Sequence, residues 1–274
     1  MQYAIGNLIK EARKEMGLTQ LEASQGICSQ AMLSSIERAK YIPNAQLLML
    51  LCQRLQLDLN DISLATNYHV SHQKVINETL NRLCQTHQYS QLRSFLERSS
   101  TITNIGVAVQ EQAYDYYLGV AQVNTGDLKQ GIQSLKLAVA DQKRKQSLSA
   151  LSRLCLIALA YAYSQNKQFK QAAEYCQLAE YQISAAFYEE NLNIIGYLAA
   201  LIAYEQQHYL DVVKIVTANI NYISEHNSHY MLANCYYLLV KAADKSHQAN
   251  LIDEAQTRQQ VFADLFSEQI HRLD

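Results

Sequence analysis

A short run of small polar residues after residue 28 has the side-chain types that read base edges in a DNA major groove. Gln30 is the strongest candidate, because a carboxamide can form two hydrogen bonds with the edge of an adenine. At helical spacing its neighbours share one outward face, which suits a helix lying in the groove. The residues predicted to contact bases are Ser29, Gln30, Ala31, Met32, Ser34 and Ser35.

Three further side chains are placed to contact phosphates. Arg38 and Lys40 follow the polar run, and Gln20 stands in the first turn of the preceding helix, where its amide can reach a phosphate. Residues 1–60, here called the head, carry six basic and five acidic side chains. We therefore expect a modest, salt-sensitive affinity for DNA that grows if the heads of two copies bind together. The alternative is a serine- and glutamine-rich face that is only solvated.

Two short helices joined by a tight turn, with a longer helix before them, must position these residues. The first helix is predicted from about residue 4 to 16, and Gly17 ends it. Thr19 caps the second helix, and Glu22 three residues later completes a capping box. Ser29 is then a good N-cap for the third helix, which carries the polar run.

Arg13 and Glu37 form an acid–base pair between the first and third helices. Both residues fall beside the hydrophobic seams of their helices. We therefore predict a buried pair that orients the third helix from behind. The alternative is a surface ion pair, which would contribute little to stability.

This N-terminal segment of about 60 residues resembles the Xre family of helix-turn-helix domains. The resemblance implies that the third helix reads an operator and that the matching positions run from Ser29 to Ser35. The segment departs from the family at Ala39, where glycine is usual, and its second turn is about one residue shorter, a trait shared with PlcR-like regulators. The matching residues are Gly6, Leu8, Ile9, Arg13, Gly17, Leu18, Thr19, Gln20, Ser34, Ile36, Glu37 and Pro43.

Beyond residue 65 the sequence repeats as helical hairpins of similar length. Each hairpin has a short turn, then an apolar or aromatic residue, then a residue of variable size three positions later. The first members are spaced by 39, 41, 40 and 43 residues, which indicates a helical solenoid. Small residues, Gly119, Ala160 and Ala200, stand nine positions before three of them and would let paired helices approach closely. The pairs are Tyr89/Leu92, Leu128/Gly131, Phe169/Ala172, Tyr209/Val212 and Ile252/Ala255.

The hairpins resemble tetratricopeptide repeats, most clearly from Tyr114 to Val139. That resemblance implies a concave groove lined by the first helix of each hairpin. Asparagine there can hold both the N–H and the C=O of an extended peptide, tyrosine supplies apolar walls with a polar tip, and lysine can meet a carboxylate. The resulting peptide-binding prediction comprises Lys74, Asn77, Asn81, Tyr116, Tyr161, Tyr197, Tyr204, Asn234, Tyr237 and Lys241.

Together the two parts resemble the peptide-pheromone receptors of the Rgg/Rap/PlcR group. The fold class is therefore expected to be all-α, with a five-helix helix-turn-helix domain over residues 1–64, a connector over 65–74 and about five hairpins over 75–274. The resemblance implies a DNA-binding, quorum-sensing transcriptional regulator. It would be a homodimer on a two-fold operator, with a short peptide resetting the placement of its heads through the connector.

Two other functions remain open: repeats that serve only dimerisation or protein docking, and repeats that sequester a signalling partner. An enzyme is disfavoured, since we find no nucleophile elbow, phosphate-binding glycine loop or zinc-protease motif, and we expect no metal and no cofactor. The pairs His69/His72 and His226/His229 lack a third ligand. Six scattered cysteines fit reduced thiols in a cytoplasmic protein. Charges at residues 10–15 argue against a signal peptide, and we expect no membrane partner.

Overall fold

The computed structural model describes residues 6, 9–10, 12–14, 16–38, 40–41, 43–55, 57, 68–140, 148–186, 188–266 and 268–273. Within these residues the chain is helical or irregular and contains no strand, which confirms the predicted all-α fold. The chain forms two compact units, Met1–Thr66 and Asn67–Asp274. Ala39 and residues 58–67, which include the end of the predicted helix-turn-helix domain and part of the predicted connector, lie outside the described residues.

The described residues of the N-terminal unit form four helices around one apolar core. Helix α1 contributes the helical residues 6, 9–10 and 12–14. It is followed by α2 (Gln20–Ser24), α3 (Gln30–Glu37) and α4 (Ala45–Arg54). Burial of aliphatic side chains from α1, α3 and α4 holds the unit together. The largest of these fully buried side chains are Ile9, Leu33, Ile36 and Leu51.

Local capping interactions set the limits of α2 and α3 as the sequence predicts. The Thr19 hydroxyl accepts a hydrogen bond from the Glu22 amide, while the Glu22 carboxylate accepts one from the Thr19 amide at 2.7 Å. Ser29 caps α3 by accepting from the Met32 amide at 3.1 Å. Gly17 adopts a φ of 67°, which is the left-handed conformation that ends α1.

The second unit consists of helical hairpins in sequence. A short helix α7 (Ser99–Ile102) follows the first hairpin, and two 3-10 turns, Ile183–Ala185 and Glu190–Leu192, precede the fourth. The described hairpins are α5 (Lys74–Gln85) with α6 (Tyr89–Leu96), α8 (Ala108–Asn124) with α9 (Leu128–Ala138), α10 (Ala150–Gln165) with α11 (Phe169–Glu180), α12 (Asn193–Glu205) with α13 (Tyr209–Glu225), and α14 (Leu232–Lys245) with α15 (Ala249–Phe266).

The predicted period is confirmed in the starts of the second helices. Four of them begin at the predicted anchors Tyr89, Leu128, Phe169 and Tyr209. The fifth prediction is wrong in register, because α15 begins at Ala249, three residues before Ile252. Every one of these helices is preceded, two residues earlier, by a residue with positive φ, and this turn sets the repeat. Those residues are His87, Gly126, Lys167, Gln207 and His247.

Small residues bring the two helices of a hairpin into close contact. A Cβ atom added to Gly119 would lie 2.6 Å from the Leu135 Cγ and 3.1 Å from the Gly131 carbonyl oxygen. Ala160 and Ala200, at the equivalent positions of later hairpins, are fully buried. The prediction that small residues permit this approach is confirmed.

Candidate nucleic-acid interface and peptide groove

Glu37, at the end of α3, joins three helices of the N-terminal unit. Its carboxylate accepts hydrogen bonds from the Arg13 Nε, from the Arg13 Nη2 at 3.0 Å and from the Gln20 Nε2 at 2.8 Å. The Arg13 Nη1 donates to the Leu18 carbonyl at 2.8 Å. Glu37 is 4% exposed and Arg13 9%. The predicted buried orienting pair is confirmed, and it extends to α2 through Gln20.

The same network lowers the pKa of the Glu37 carboxyl. Burial raises the pKa of this carboxyl, but the hydrogen bonds from Arg13 and Gln20 outweigh burial and hold the pKa below its usual value. Glu37 is therefore ionised, and its charge is balanced by Arg13. The Gln20 amide, predicted to reach a phosphate, is instead engaged inside the unit.

The residues predicted to contact bases fall into two groups on α3. Gln30 and Ala31 are exposed, and so is the capping residue Ser29. Ser34 and Ser35 are half-buried, and the Ser35 hydroxyl donates to the Ala31 carbonyl at 2.9 Å. Met32 is also half-buried and packs against the core of the unit. Gln30 and Ala31 are thus the most open side chains of this face.

Of the basic side chains predicted at phosphates, Arg38 and Lys40 are both exposed. The Arg38 guanidinium donates to the Ser34 carbonyl at 3.1 Å and to the Ser34 hydroxyl, so it folds back over the end of α3. This arrangement places two cations next to the exposed face of α3. In a duplex, the backbone phosphates lie on either side of the base edges, so cations beside α3 are placed to contact them.

The residues predicted to bind peptide all lie on the first helices of the hairpins. Lys74 is exposed, whereas Asn77, Tyr197 and Asn234 are buried. The remaining six are half-buried. They are distributed as Lys74, Asn77 and Asn81 on α5, Tyr116 on α8, Tyr161 on α10, Tyr197 and Tyr204 on α12, and Asn234, Tyr237 and Lys241 on α14.

Asn77 holds backbone groups by hydrogen bonds, but this backbone belongs to the chain itself. Its Oδ1 accepts hydrogen bonds from the amides of Val70 at 3.1 Å and Ser71 at 3.3 Å. Its Nδ2 donates to the Ser71 carbonyl at 2.8 Å. The predicted chemistry of the asparagine is present, and its occupant is the irregular segment that leads into α5.

Asn234 makes the same type of contact at the other end of the unit. Its Nδ2 donates to the Gln269 carbonyl at 3.0 Å, and its Oδ1 accepts from the His271 amide at 2.8 Å. The backbone held here follows α15. The segment was not among the predicted site residues, because it is irregular and carries no repeat period.

Burial raises the pKa of several tyrosines of the repeat unit. Burial, then nearby Glu205, raises the pKa of Tyr161 to about 12. Tyr230, just before α14, has a pKa raised by burial and then by Glu268, Glu190, Cys84 and Tyr89. Lys241 sits with its Nζ 5.5 Å from the centre of the Tyr237 ring.

Two buried polar atoms among the residues predicted to bind peptide have no hydrogen-bond partner in the described part of the chain. They are the Tyr197 hydroxyl and the Asn81 Oδ1. An unpaired buried polar atom costs on the order of 1–3 kcal/mol. Such atoms are therefore suited to pair with a guest molecule. Both belong to the predicted peptide-binding set.

Comparison with known proteins identifies the smaller unit. Residues 9–62 match the helix-turn-helix family HTH_3. The N-terminal unit contains a helix-turn-helix domain. Within this helix-turn-helix domain, α2 and α3 are the two helices of the motif, and the Glu37 network lies behind α3. No curated protein matches the chain.

The fold of the whole chain is similar to that of PlcR from Bacillus thuringiensis. The structure of PlcR in complex with the peptide PapR7 and DNA aligns with a TM-score of 0.61 at 20% identity, covering 97% of this chain and 96% of PlcR. The apo form of PlcR aligns with a TM-score of 0.58 at 17% identity, covering 97% and 95%. A helix-turn-helix domain followed by helical repeats is therefore the shared architecture.

The remaining chemical groups form ordinary structural contacts. All six cysteines are free thiols, and Cys52, Cys155 and Cys235 are buried. His226 stacks on Tyr188 with ring centres 3.9 Å apart, and His229 stacks on Phe266. In the described part of the chain no group of three or more potential metal ligands occurs. Nor does that part contain a helix with the length and hydropathy to span a bilayer.

Proposed function

We propose that this protein is a cytoplasmic, sequence-specific DNA-binding transcriptional regulator that works as a homodimer. The observation that carries this proposal is the Glu37 network, which fixes α3 from behind and leaves Gln30 and Ala31 exposed. A rigid helix with an open polar face is what major-groove reading requires. PlcR, which shares the fold, is seen in complex with DNA and a peptide.

The repeat unit is proposed to bind a short signalling peptide, as in quorum sensing, and thereby to control the placement of the two heads. Asn77 on the first hairpin and Asn234 on the last both hold backbone N–H and C=O groups by hydrogen bonds. The unpaired Tyr197 hydroxyl and the side-chain Oδ1 of Asn81 offer further hydrogen-bond partners for the peptide. A peptide that binds one arrangement of the repeats better than another shifts the population of dimers able to reach two half-sites.

Two substitutions in the helix-turn-helix domain test the DNA-binding function. Gln30→Ala should reduce discrimination between the preferred operator and single-base variants by about 1–3 kcal/mol, because a bidentate base contact is lost. Lys40→Ala should weaken binding about equally on all sequences and make the dependence on salt shallower. Operators are selected from random duplexes, and affinities are measured by fluorescence anisotropy at several salt concentrations.

Gln53→Ala is the matched control, since Gln53 is an exposed glutamine on α4. It should leave both operator choice and salt dependence unchanged. The proposed function is wrong if the full chain selects no sequence, or if Gln30→Ala binds the selected operator and its variants as the native chain does.

A second function, in which the repeats serve only dimerisation or docking, has one observation in its favour. Both backbone-holding asparagines are already occupied by segments of this chain. A repeat unit that is satisfied internally has no unmet need for a peptide at these two positions. The two functions differ in whether the internal segment at Asn234 can be replaced.

A further inference from the structure

Residues 268–273 form an irregular segment that lies against α14. The segment follows α15, and its half-buried residues are 268, 270, 271 and 273, while 269 and 272 are exposed. Leu273 packs against the apolar cluster that contains Leu238 and Leu239. The segment therefore lies on the protein as a bound peptide would, with some side chains inward and others in solvent.

The carboxylate of Glu268 lies at the N-terminus of α14. It accepts hydrogen bonds from the Asn234 amide at 3.0 Å, from the Ala233 amide at 3.4 Å and from the Asn234 Nδ2 at 2.6 Å. Free backbone amides at a helix N-terminus favour an anion. Asn234 is 4% exposed, so these contacts occur in a largely desolvated place.

The backbone of the segment is held without reference to its side chains. Asn234 pairs with the Gln269 carbonyl and the His271 amide, which is how an asparagine recognises any extended chain. The Leu273 amide donates to the Tyr237 hydroxyl at 3.2 Å. Asn234 and Tyr237 are two of the residues that the sequence predicts for peptide binding.

We propose that residues 268–273 are a built-in occupant of the peptide site, and that the signalling peptide binds by taking their place on Asn234 and Tyr237. The proposal rests on the proposed function for the existence of a peptide ligand. It defines the chemistry of that ligand: an extended peptide with an acidic side chain, followed two and five residues later by apolar side chains. Those positions correspond to Glu268, Ile270 and Leu273.

The fit of the segment is adequate but replaceable. Burial raises the pKa of Glu268 more than its hydrogen bonds from Asn234 and Ala233 lower it. The ionised carboxylate is therefore less stable in this position than in water. A tethered occupant that fills the site 90–99% of the time weakens a competing ligand by about 10- to 100-fold. A ligand with a better-paired anion overcomes that competition.

The test uses the full chain and a labelled hexapeptide with the segment's own sequence, Glu-Gln-Ile-His-Arg-Leu, with blocked ends. The double variant Glu268→Ala/Leu273→Ala removes the carboxylate and the apolar contact of the internal segment. Because its site is vacated, it should bind the labelled peptide at least about 10-fold more tightly than the native chain in an anisotropy titration. Gln269→Ala/Arg272→Ala is the matched control, and it should bind as the native chain does, because both side chains are exposed.

Two further measurements locate the binding. Adding Asn234→Ala to the vacated variant should remove the gain, and Tyr237→Phe, which keeps the ring, should remove part of it. A hexapeptide with glutamine in first place should bind the vacated variant at least several-fold more weakly. Circular dichroism confirms that each variant is folded.

The proposal is overturned if the vacated variant binds the hexapeptide no better than the native chain and the control. It is also overturned if folded Asn234→Ala and Tyr237→Phe variants keep the whole gain. These readouts involve no DNA, so failure here is distinct from failure of the operator test with Gln30→Ala. A vacated variant that gains the peptide but shows unchanged operator affinity would support this site and count against the coupling to the heads.

Discussion

A single carboxylate at Glu37 determines how α3 is held in the helix-turn-helix domain. It receives hydrogen bonds from α1 and α2 at once, through Arg13 and Gln20. A buried ion pair of this kind contributes little compared with an apolar replacement, but breaking it leaves one charge unpaired at high cost. The role of Glu37 is therefore orientation more than net stability.

Glu37→Gln should lower the free energy of unfolding of the helix-turn-helix domain by about 3 kcal/mol at pH 7, because Arg13 is left buried without its counter-charge. The pKa of Glu37 is depressed, so its ionisation stabilises the fold above the unfolded pKa of about 4.3, and this contribution is lost as pH falls through the folded pKa. The difference between variant and native chain should thus shrink as the pH falls below about 4.3 and through the folded pKa of Glu37. Urea unfolding followed by circular dichroism at several pH values measures it.

The double variant Arg13→Met/Glu37→Gln is the control for this prediction. With the buried cation removed as well, it should recover part of the lost stability. A loss below about 1 kcal/mol in the single variant would mean that the pair behaves as a surface ion pair. At this scale the sequence was sufficient to predict the pairing of Arg13 with Glu37, which flank hydrophobic seams. It was not sufficient for Gln20, because a glutamine in the first turn of α2 gave no sign of its hydrogen bond to Glu37.

At the scale of elements, the regular spacing of hydrophobic and aromatic anchor residues allowed the repeat to be predicted from the sequence. Four second helices start at residues chosen from the sequence, because each anchor is the first large side chain after a turn. The left-handed backbone conformation in these turns could not be predicted from the sequence. The reason is that His87, Lys167, Gln207 and His247 adopt positive φ without being glycine. The fifth anchor was misplaced because Ala249 is small and the turn before it resembles any polar loop.

Gly131 shows how tightly one hairpin is packed. A Cβ atom there would lie 2.6 Å from the Val123 Cγ2 and 3.0 Å from both the Gly119 oxygen and the Val123 nitrogen. Gly131→Ala should therefore lower the free energy of unfolding by about 1–2 kcal/mol, since the overpacking cost exceeds the gain in helix propensity. Thermal and urea unfolding of the full chain provide the measurement.

Gly106→Ala is the matched control for that substitution. Its added Cβ would meet only the His72 ring and the Gln110 side chain, at 3.4 Å or more. This is ordinary van der Waals contact, so stability should change by less than about 0.5 kcal/mol. Equal effects at Gly106 and Gly131 would show that the approach of α8 and α9 is not limiting.

At the scale of the whole molecule, one helix-turn-helix domain offers few contacts to DNA. Helix α3 has eight residues, and Gln30 and Ala31 are its most open side chains on the predicted face. The chain as a whole has a formal net charge of −2, so non-specific attraction to phosphates is weak. The proposed homodimer would bring two such domains to one duplex and thereby raise the number of contacts.

The internal occupant of the peptide site also belongs to this scale, and the sequence could not reveal it. Asn234 and Tyr237 are predicted to be peptide contacts from their positions on a repeat helix. Glu268 and its neighbours follow the last helix without any period, and their contact with α14 depends on how the chain returns after α15. The chemistry of a site can thus be read locally, whereas its occupancy depends on the fold.

A homodimer of this kind should bind a duplex with two inverted half-sites at least about 100-fold more tightly than a duplex with one. The two half-sites must be separated by about one helical turn, or 10–10.5 base pairs, so that both recognition helices enter the groove from the same side. Inserting five base pairs turns the second half-site to the opposite face and should reduce affinity to that of a single half-site.

Doubling the phosphate contacts should also make the slope of affinity against salt about twice as steep on the intact operator. Anisotropy titrations of the full chain, with the stoichiometry fixed by sedimentation, measure all three quantities. Equal affinity for one and two half-sites would show that the heads act singly, and the repeat unit would then have no pair of heads to position.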